Sequence, residues 1–550
     1  MAEINNFIKT IMENDLKEGR VDHIATRFPP EPNAYLHIGH ARAIINDFEL
    51  AKAFNGTTNL RFDDTNPVNE GAEYVDAIID DLKWLGYTPT NIFFGSDYFE
   101  KTYEKAILLI KKGLAYVDDL SQEETTAYRG TLTEPGKNSP YRDRTVEENL
   151  KLFQEMRDGK YADGEKTLRA KIDMASPNIN MRDPVMYRIL HKEHHRQGNK
   201  WCIYPMYDFA HPLQDSFEGI THSLCSIEYD NHRPLYDWFI EKCEMVNVPH
   251  QYEWGRLNIT NTVMSKRYLR QLVEGGYVTG YDDPRMPTLV GLRRRGFTAS
   301  AIREFILYTG LSRVNSTTDA GNLDHFLMED QKLVAPRYMA VFDPLPIVID
   351  NYPDDQVEWF DALNNMENPE LGTHKIAFSK HLYIDRDDFV EVKPNKKWKR
   401  LALDSEVRLM NSYFVKAVSV EKDENGNITL VHCTYDPATR SDLDFKERKP
   451  NGTIQFCEAS TSKPVTYNLF DVLIFDETEE TKGLSFIERL NKDSWQVKKG
   501  FVEVAAKDVQ PGDHFQLMRN GYYCVDKLST ADNLVFNRTC SLKSSFTPNK

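Results

Sequence analysis

One stretch of the chain, RFPPEPNAYLHIGH at residues 27–40, constrains the fold more than any other. Its three prolines fix φ and push the residue before each of them into extended geometry, so the first half cannot be helical. A β-strand, residues 23–28, ends here, and a helix begins near His37 and runs to about Phe54. The helix is predicted from apolar residues at helical spacing: Ala41, Ile44, Ile45, Phe48 and Ala51. A strand, loop and helix in this order are typical of the first βα turn of a nucleotide-binding sheet.

This placement gives the two histidines of the stretch a chemical role. His37 and His40 fall in the first helical turn, beside free backbone N–H groups and the positive end of the helix dipole, which favours phosphate. Gly39 lets a bulky ligand lie against the backbone, and neutral imidazoles can donate hydrogen bonds to phosphate oxygens. The alternative is that the histidines merely cap the helix; the strand and proline loop before them favour the phosphate site.

Length and composition indicate a soluble, multidomain protein. The 550 residues are 40% hydrophobic and 28% charged, enough for several domains that each bury a core. No apolar run approaches the ~18 residues of a membrane span, and residues 1–21 are expected to form a polar amphipathic helix rather than a signal peptide. We therefore expect a cytoplasmic protein. The seven cysteines are scattered without a C-x-x-C pair, so neither a disulfide framework nor protein-bound zinc, nor any other fixed metal site, is expected.

The charge pattern leaves nucleic-acid binding open. A net charge of −16 argues globally against a nucleic-acid binder, but charge acts within a Debye length of about 8–10 Å. Two basic clusters stand out, Arg293–Arg295 and Lys393–Arg400. The second contains Trp398, and an aromatic ring among cations suits unstacked RNA bases. A solvated face remains the alternative for either cluster.

A second strand ends in two carboxylates, in the string NLRFDDTNP from Asn59. Because the carboxyl ends of strands in an open α/β sheet face the ligand crevice, Asp63 and Asp64 are placed to bind a substrate cation. Capping of the next helix, which ends at about Trp84 before Gly86, is the alternative role.

The rest of the chain changes character three times. Residues 97–206 read as helices and polar loops that interrupt the sheet domain, which resumes with WCIYPMYDFAH. Lys266, in the triplet MSK after another strand, is a mobile cation that could meet a polyphosphate. Residues 282–334 look helical. After Pro336, alternating patterns and turn signals predict one or two β-barrels.

Several strings together carry a family resemblance. HIGH at 37–40, MSK at 264–266, and RFPPEPN, RFDDTNP, WCIYPMYDF, THSLC and DDPRMPT resemble class I aminoacyl-tRNA synthetases of the glutaminyl/glutamyl subgroup, and its glutaminyl members most. The resemblance covers nearly the whole chain. It implies a Rossmann-type α/β catalytic domain (22–96 and 207–256), an inserted α/β domain binding the acceptor stem (97–206), an MSK loop and helical connector (257–335), and two all-β anticodon-binding barrels (336–550; distal about 346–455, proximal about 456–546).

The resemblance also implies a reaction. The amino acid and ATP, accompanied by Mg²⁺, give an aminoacyl-adenylate and pyrophosphate, and the acyl group then passes to the 2′-hydroxyl of the terminal adenosine of tRNA. By similarity, His37, His40 and Lys266 stabilise the negative charge that develops on the phosphates in the transition state. Preorganised hydrogen-bond donors stabilise such charge. The positions that match ATP contacts are Glu31, Pro32, Asn33, His37, Ile38, Gly39, His40, Ala41, Arg42, Ala43, Ser226, Arg256, Leu257, Met264, Ser265 and Lys266.

The amino-acid pocket implied by the resemblance is neutral. Asp63 would bind the α-ammonium, Arg27 would lie near the carboxylate and phosphate charges, and Tyr207 would read the side-chain amide. Cys225 and Gln251 would shape the amide end. Glutamate-specific relatives typically carry an arginine where this chain has Cys225, and a glutamate carboxylate needs a cation, so a neutral pocket favours glutamine.

For tRNA, the resemblance assigns Leu132 as an apolar wedge against the first acceptor-stem pair. The positions that match anticodon contacts are Arg337, Lys397, Lys399, Arg400, Gln516 and Arg519. One departure concerns Asn231, preceded by Asp230, where the family usually has an aspartate that reads the acceptor stem. Family behaviour suggests a monomer.

Three alternatives stay open beside the leading interpretation. A glutamyl-specific synthetase of the same architecture is the first. A small-molecule nucleotidylyltransferase also places HIGH at a helix start, but it has no use for the insertion or the barrels. A non-catalytic RNA-binding relative would be expected to lose His37, His40 or Lys266, and this chain keeps all three.

Overall fold

The computed structural model describes residues 4–68, 71–443 and 445–542. They form two compact units: one runs to Asn258 and takes in Ile306–Thr318, and the other holds Ile259–Phe305 and the described chain from Asp319 onward. Among the described residues, every helix is too short or too polar to span a lipid bilayer.

The first unit contains the elements predicted around the nucleotide-binding turn and in the insertion. Its helices are α1 (Phe7–Lys17), α2 (Ile38–Ala53), α3 (Ala72–Trp84), α4 (Phe99–Lys111), α5 (Gln122–Arg129), α6 (Val146–Arg157), α7 (Tyr207–Phe217) and α8 (Arg233–Lys242). Its strands are β1 (Ala25–Phe28), β2 (Thr57–Phe62), β3 (Ile92–Phe94), β4 (Ala115–Asp118), β5 (Thr167–Ala170), β6 (Val185–Ile189), β7 (Ile203–Pro205), β8 (His222–Ser226) and β9 (His250–Trp254).

Parallel strands form the centre of this unit. β1, β2 and β3 pair in parallel in that order, and β8 pairs in parallel with β9. The two sheets meet where the Ala25 amide donates to the Thr221 hydroxyl at 2.9 Å and the Thr221 amide donates to the Ala25 carbonyl at 3.0 Å. The helix predicted after the proline loop is confirmed as α2, with His37 as its N-cap. The carboxyl ends of these strands therefore lead into the candidate site.

The insertion has the α/β composition that the family resemblance implies, although its residue pattern alone indicated only helices and polar loops. It holds α4, α5 and α6, but also an antiparallel sheet in the order β4, β5, β6, β7. These strands are three to five residues long, too short for alternation to reveal them. Residues of the insertion such as Phe153 and Tyr187 share one buried cluster with Phe209 of α7 and Phe239 of α8. The insertion is thus packed onto the catalytic elements.

The helix α1 is anchored by a buried polar group as well as by apolar contacts. Ile8 and Met12 pack with Leu50 and Trp254. Asp15 lies 3.1 Å from His222 Nε2 and accepts a hydrogen bond of 3.1 Å from the Tyr252 hydroxyl. The start of the predicted N-terminal helix, residues 1–3, lies outside the described residues.

The predicted helical stretch at 282–334 is helical with one interruption. The elements from 257 to 331 are β10 (Leu257–Ile259), α9 (Lys266–Glu274), α10 (Leu289–Arg295), α11 (Ala299–Thr309), β11 (Ser316–Thr318) and α12 (Gly321–Gln331). The short strand β11, which pairs with β10, is the interruption.

The β-rich region predicted after Pro336 is confirmed and forms two seven-stranded sheets. One has the order β23-β20-β21-β22-β14-β17-β24 and the other the order β12-β27-β28-β29-β25-β26-β13. Each sheet encloses its own apolar core. The strands are β12 (Arg337–Tyr338), β13 (Ala340–Val341), β14 (Pro344–Ile349), β15 (Glu358–Leu363), β16 (Thr373–Phe378), β17 (His381–Asp385), β18 (Phe389–Val390), β19 (Leu401–Ala402), β20 (Glu406–Leu409), β21 (Phe414–Lys422), β22 (Ile428–Asp436), β23 (Thr453–Ile454), β24 (Cys457–Glu458), β25 (Lys463–Phe470), β26 (Trp495–Val502), β27 (His514–Leu517), β28 (Gly521–Val525) and β29 (Leu534–Ser541). The end of the predicted proximal barrel, 543–546, lies outside the described residues.

The anchor of α1 gives a prediction for the pH dependence of stability. Burial lowers the pKa of His222 to about 4, against the opposing effect of Asp15. The ordinary value in an unfolded chain is about 6.5. As the pH falls below that value, the unfolded chain binds a proton that the folded chain does not, so stability is lost. The loss at this position reaches about 2 kcal/mol at pH 5.

We therefore expect His222→Gln to be less stable than the wild type at pH 7.5, and the difference to shrink by about 2 kcal/mol at pH 5. Urea unfolding at the two pH values measures it. The matched control is Tyr252→Phe, which removes the other hydrogen bond to Asp15 and costs about 1 kcal/mol at both pH values. A difference for His222→Gln that does not change with pH would contradict the prediction.

Candidate functional site

The two histidines of the HIGH segment cap their helix by bonding to each other's backbone. His37 Nδ1 accepts a hydrogen bond from the Gly39 amide at 3.0 Å, and His40 Nδ1 accepts one from the His37 amide at 3.1 Å. The ring centroids are 3.9 Å apart. Capping was the alternative to a phosphate role at this segment, and the structure shows that the histidines do cap α2.

The capping bonds also fix which nitrogen of each ring carries the proton. Since Nδ1 accepts in both rings, the neutral form carries its hydrogen on Nε2, the donor that a phosphate oxygen needs. Burial lowers the pKa of His37 well below its usual value, and His40 and Arg256 lower it further. His37 is therefore neutral at physiological pH, and capping leaves its Nε2–H pointing away from the bonds that cap the helix.

The other predicted ATP positions divide into exposed and buried side chains. Asn33 donates to Glu31 at 2.6 Å within the proline loop, and Arg256 pairs with Glu228. Ser226 ends β8. The remaining first-unit positions lie in the loop, in α2 or at the start of β10: Pro32, Ile38, Gly39, Ala41, Arg42, Ala43 and Leu257. The side chains of Ile38, Ala41, Arg42 and Leu257 are buried, so an ATP contact from these residues would come from the main chain.

A small pocket lies beside α7, and two of the residues predicted for the amino acid line it. Its lining includes Tyr207 and Gln251. Gln251 Nε2 donates to the Tyr229 carbonyl and to Glu253, both at 3.0 Å. These bonds fix the amide of Gln251 at the pocket wall, and burial raises the pKa of Tyr207 well above its usual value, so its hydroxyl keeps its proton.

Further lining residues escaped the sequence analysis: Asp208, His211, Pro212, Tyr229, His232 and Tyr236. The rings of Tyr207 and His211 stack with centroids 4.8 Å apart. Their i, i+4 spacing in YDFAH was a signal that could have identified His211, because such residues share one helix face. His232 pairs with Asp208 at 2.7 Å, and this hydrogen bond raises the pKa of His232.

Arg27 lies behind this pocket rather than in it. Its side chain is fully buried, and its donors bind inside the protein: Nε to Asp215 at 2.9 Å, and one terminal nitrogen to Ser223 Oγ at 2.7 Å. The same nitrogen is 3.6 Å from Cys225 Sγ. The guanidinium therefore acts on the predicted pocket residue Cys225 from within the protein, where neighbouring side chains accept its hydrogen bonds.

The carboxylate of Asp215 balances the buried charge of Arg27. Asp215 accepts hydrogen bonds from Arg27, from Arg61 at 2.8 Å, from Ser223 at 2.7 Å and from the Tyr236 hydroxyl at 2.9 Å. Burial alone would raise the pKa of Asp215, but Arg27, His211 and Arg61 hold it well below its usual value. Burial lowers the pKa of His211 to about 3, so that imidazole is neutral.

The two aspartates at the end of β2 are placed differently. Asp63 is half-buried, and its Oδ1 accepts from the Thr65 hydroxyl at 2.8 Å, while burial raises the pKa of its carboxyl. Asp64 is fully buried, and both of its carboxylate oxygens bond to Ser96, at 2.7 and 2.6 Å. Of the pair, Asp63 is the one placed to meet a substrate cation.

The MSK triplet belongs to the second unit. Ser265 is the N-cap of α9, and Lys266 is the first residue of that helix. Lys266 and Ser265 are exposed, and Met264 is half-buried. Leu269 and Leu272 bury the other face of α9, in a cluster with Leu473 and Phe486.

Three family models match this chain, and all three describe the same group of proteins. The family model described as tRNA synthetases class I (E and Q), catalytic domain, matches residues 23–332. Two models for the anti-codon binding domain of the same group match residues 335–436 and 453–526. The chain belongs to the class I tRNA synthetases of the E and Q group. The family predicted from HIGH and MSK is confirmed.

Curated relatives match this synthetase along its whole length. The glutamine–tRNA ligase of Clostridium perfringens is 56% identical over 98% of both chains. That of Clostridioides difficile is 54% identical over 99% of both chains, and that of Clostridium kluyveri is 53% identical over 98% of both.

In the inserted domain of the synthetase, Leu132 lies at the tip of a braced loop. Its side chain is 81% exposed. One guanidinium nitrogen of buried Arg182 lies 2.8–2.9 Å from the carbonyl oxygens of Arg129, Thr131 and Glu134. The exposure of Leu132 and the support of its loop agree with the predicted role of an apolar wedge.

Two of the predicted anticodon residues are neighbours with unsatisfied polar atoms. Arg337 of β12 pairs in register with Gln516 of β27. Arg337 donates to Glu367 at 3.0 Å, but its Nε and the Oε1 of Gln516 are buried without a hydrogen-bond partner. Gln516 is only 9% exposed. Such orphaned groups are costly unless a ligand satisfies them.

Two other predicted anticodon residues, Arg400 and Arg519, bind the buried carboxylate of Asp388, which the sequence analysis missed. Arg519 binds Asp388 through both terminal nitrogens, at 2.8 and 2.9 Å, and Arg400 Nε lies 3.2 Å from the same carboxyl. Nothing in the string RDDF distinguished Asp388 from its neighbours. Lys397 and Lys399 are exposed beside half-buried Trp398.

The remaining polar features named from the sequence are occupied by internal contacts. The main-chain carbonyl of Asn231 accepts from Asn178 at 2.8 Å and from Asn180 at 3.2 Å, while its neighbour Asp230 pairs with Arg233. In the other basic cluster, Arg294 pairs with Asp526 and Arg295 donates to the Thr539 carbonyl. The cluster at 293–295 thus serves the fold of the second unit.

We predict that Asp215→Asn destabilises the synthetase by about 3–5 kcal/mol, because it removes the carboxylate paired with buried Arg27 and leaves buried Arg61 with Glu218 alone. Urea unfolding measures the change. The matched control is Tyr236→Phe, which removes one hydrogen bond to the same carboxylate and costs about 1 kcal/mol. Equal losses in the two variants would show that the charge of Asp215 is not what matters.

Proposed function

We propose that this synthetase is a glutamine–tRNA ligase. Glutamine attacks the α-phosphate of ATP to form glutaminyl-adenylate and pyrophosphate. The 2′-hydroxyl of the terminal adenosine of tRNA(Gln) then takes the glutaminyl group and releases AMP. The proposal includes Mg²⁺ that arrives with ATP, a monomeric chain and a cytoplasmic location.

The observation that carries the choice of glutamine is the neutrality of the amino-acid pocket. The charge of Arg27 is compensated by Asp215 inside the protein, and the pKa of His211, at about 3, leaves that ring uncharged. Burial raises the pKa of the Cys225 thiol, so this group is neutral too. A glutamate carboxylate would meet no unpaired cation here, whereas an amide needs only a donor and an acceptor. The names of the curated relatives agree.

Each substrate group has a proposed partner on this chain. Asp63 binds the α-ammonium, the Tyr207 hydroxyl and Gln251 bracket the side-chain amide, and Cys225 limits the end of the pocket. Arg27 acts indirectly, by fixing Ser223 and Cys225 in place. This proposed role goes with the expectation from the sequence that Arg27 lies near the carboxylate and phosphate charges.

The phosphates are proposed to be bound by groups that carry their protons before the reaction starts. His37 and His40 donate through Nε2, and the first-turn amides of α2 add their dipoles. Lys266 follows the pyrophosphate as it leaves. Since the attack loads negative charge onto phosphate oxygens, each preorganised donor is worth about 2–4 kcal/mol in the transition state. No nucleophilic side chain takes part.

The tRNA contacts are proposed for both units. Leu132 separates the first acceptor-stem pair, with the inserted domain 97–206 behind it. Arg337 and Gln516 offer their orphaned polar atoms to an anticodon base, Arg400 and Arg519 present guanidinium faces set by Asp388, and Lys397 and Lys399 contact phosphates. Arginine and aromatic groups bind unstacked RNA bases in this way. A glutamyl-specific synthetase remains the alternative for the reaction.

Charging of total bacterial tRNA with ATP and labelled amino acid tests the proposal directly. We expect the purified chain to charge tRNA with glutamine and not, in a parallel reaction, with glutamate. Charging with glutamate alone would show that Tyr207, Cys225 and Gln251 are misassigned, while the ATP chemistry stands. Failure with both amino acids, using tRNA that a known ligase charges, would refute the proposal.

Removing one hydroxyl tests how the amide is read. Tyr207→Phe should raise the KM for glutamine about tenfold, because the amide loses one buried hydrogen bond. Steady-state aminoacylation gives the KM, and the KM for ATP in the same variant serves as the internal control. An unchanged KM for glutamine would remove Tyr207 from the amide-reading role.

A further inference from the structure

The loop between β6 and β7 in the inserted domain reaches the ends of two catalytic strands. We call residues 191–198 the clasp loop; the amide and carbonyl of His194 bond to those of Gly198, which makes it a tight turn. His194 Nε2 lies 2.6 Å from the main-chain carbonyl of Asp64, just past the end of β2. His195 Nε2 lies 3.2 Å from the Asp64 carboxylate.

Two further residues of the clasp loop bind the segment after β3. Arg196 donates to Asp97 at 2.8 Å and to Ser96 Oγ at 3.2 Å, and its guanidinium lies 3.8 Å from the centroid of the Phe94 ring. Gln197 Nε2 donates to the Ser96 carbonyl at 3.1 Å. The loop thus touches the ends of β2 and β3 at once.

Asp64 joins these contacts into one unit. Its carboxylate accepts from the amide and hydroxyl of Ser96, so the turn after β2 is tied to the turn after β3, and the clasp loop closes over both. A third link comes from the inserted sheet itself, where Arg188 of β6 donates to Asn66 Oδ1 at 2.9 Å. The turn at 63–66 is therefore held from both sides.

The same side chains have the spacing of a metal site, since ligand atoms of Asp64, His194 and His195 lie within 4.8 Å of one another. The donor set does not fit a metal ion. His194 Nδ1 already accepts from the amides of Arg196 and Gln197, at 3.1 and 3.2 Å, so in the neutral ring its Nε2 carries the hydrogen donated to Asp64. A metal ligand needs a free lone pair. Burial lowers the pKa of His194, which agrees with the neutral ring.

We infer that the clasp loop, through Arg196 and His194, positions Asp63 for the α-ammonium of the amino acid. Asp63 stands between the end of β2 and the fully held Asp64, and its amide donates to the Pro30 carbonyl at 2.9 Å. Its Oδ1 accepts from the Thr65 hydroxyl at 2.8 Å, and Thr65 directly follows the Asp64 that the loop holds, so the loop restrains the segment that carries the Asp63 carboxylate. This inference rests on the role proposed above for Asp63. Arg196 and His194 are positioning residues and touch no reacting atom.

The test compares Arg196→Ala with a control from the same loop. His191→Ala is matched, since His191 pairs with Asp163 of the inserted domain at 2.6 Å and its side chain is 45% exposed. Initial rates of aminoacylation by the full chain, at saturating tRNA, give KM for glutamine and for ATP separately.

Arg196→Ala is expected to raise the KM for glutamine about tenfold, since a small misplacement of a binding group has effects of this order or larger. The KM for ATP and kcat should change by less than about twofold in comparison, and His191→Ala should match the wild type. Arg196→Lys keeps the charge beside Asp97 and should recover part of the loss. An unchanged KM for glutamine in Arg196→Ala, or an equal rise for ATP, would overturn the inference.

Asp63→Asn, measured in parallel, separates the two claims. If Asp63→Asn raises the KM for glutamine and Arg196→Ala does not, the inference fails and the role of Asp63 stands. If Asp63→Asn leaves that KM unchanged, the proposed role of Asp63 fails and the inference with it. Thermal unfolding identifies a variant that does not fold, and His195→Gln, which alters the side chain of the same loop that lies 3.2 Å from the Asp64 carboxylate, then replaces Arg196→Ala in the comparison.

Discussion

The buried carboxylate of Asp215 is the interaction on which the catalytic unit depends. It binds Arg27 of β1, Arg61 of β2, Ser223 of β8 and the hydroxyl of Tyr236 in α8, so one side chain of α7 connects two sheets and a second helix. Two guanidinium groups in a low-dielectric interior are tolerated only with such compensation. Arg27 therefore brings no unbalanced charge to the adjoining pocket, and the charged groups that line the pocket, Asp208 and His232, pair with each other.

The histidines of α2 cap their helix in a way that leaves room for the phosphate role proposed for them. Sequence reasoning treated capping and phosphate binding as alternatives, but each would use a different ring nitrogen. Nδ1 of each ring satisfies an amide at the helix start, and this bond leaves the hydrogen on Nε2. A lysine in the same place could not cap, and an aspartate that caps has no hydrogen to donate to a phosphate oxygen.

Local patterns in the sequence predicted local structure well. The prolines before His37 and the apolar spacing after it located α2, and the alternating stretches after Pro336 indicated the β region. The residue pattern of the insertion did not reveal its strands, because none exceeds five residues; only the family resemblance implied an α/β domain there. The partner of Arg27 was also beyond reach, since Asp215 lies 188 residues away in sequence and no local rule links them. Asp388 and the clasp loop were missed for the same reason: their contacts exist only after the chain has folded.

The loop that carries Leu132 has a consequence for how this family can diversify. Arg182 holds it through main-chain carbonyl oxygens, and every residue type supplies that same oxygen. The hold of Arg182 on the loop is therefore nearly independent of the side chains at the three residues that supply these oxygens. Evolution can exchange the residue at the tip, and with it the chemistry presented there, without having to reinvent the support beneath.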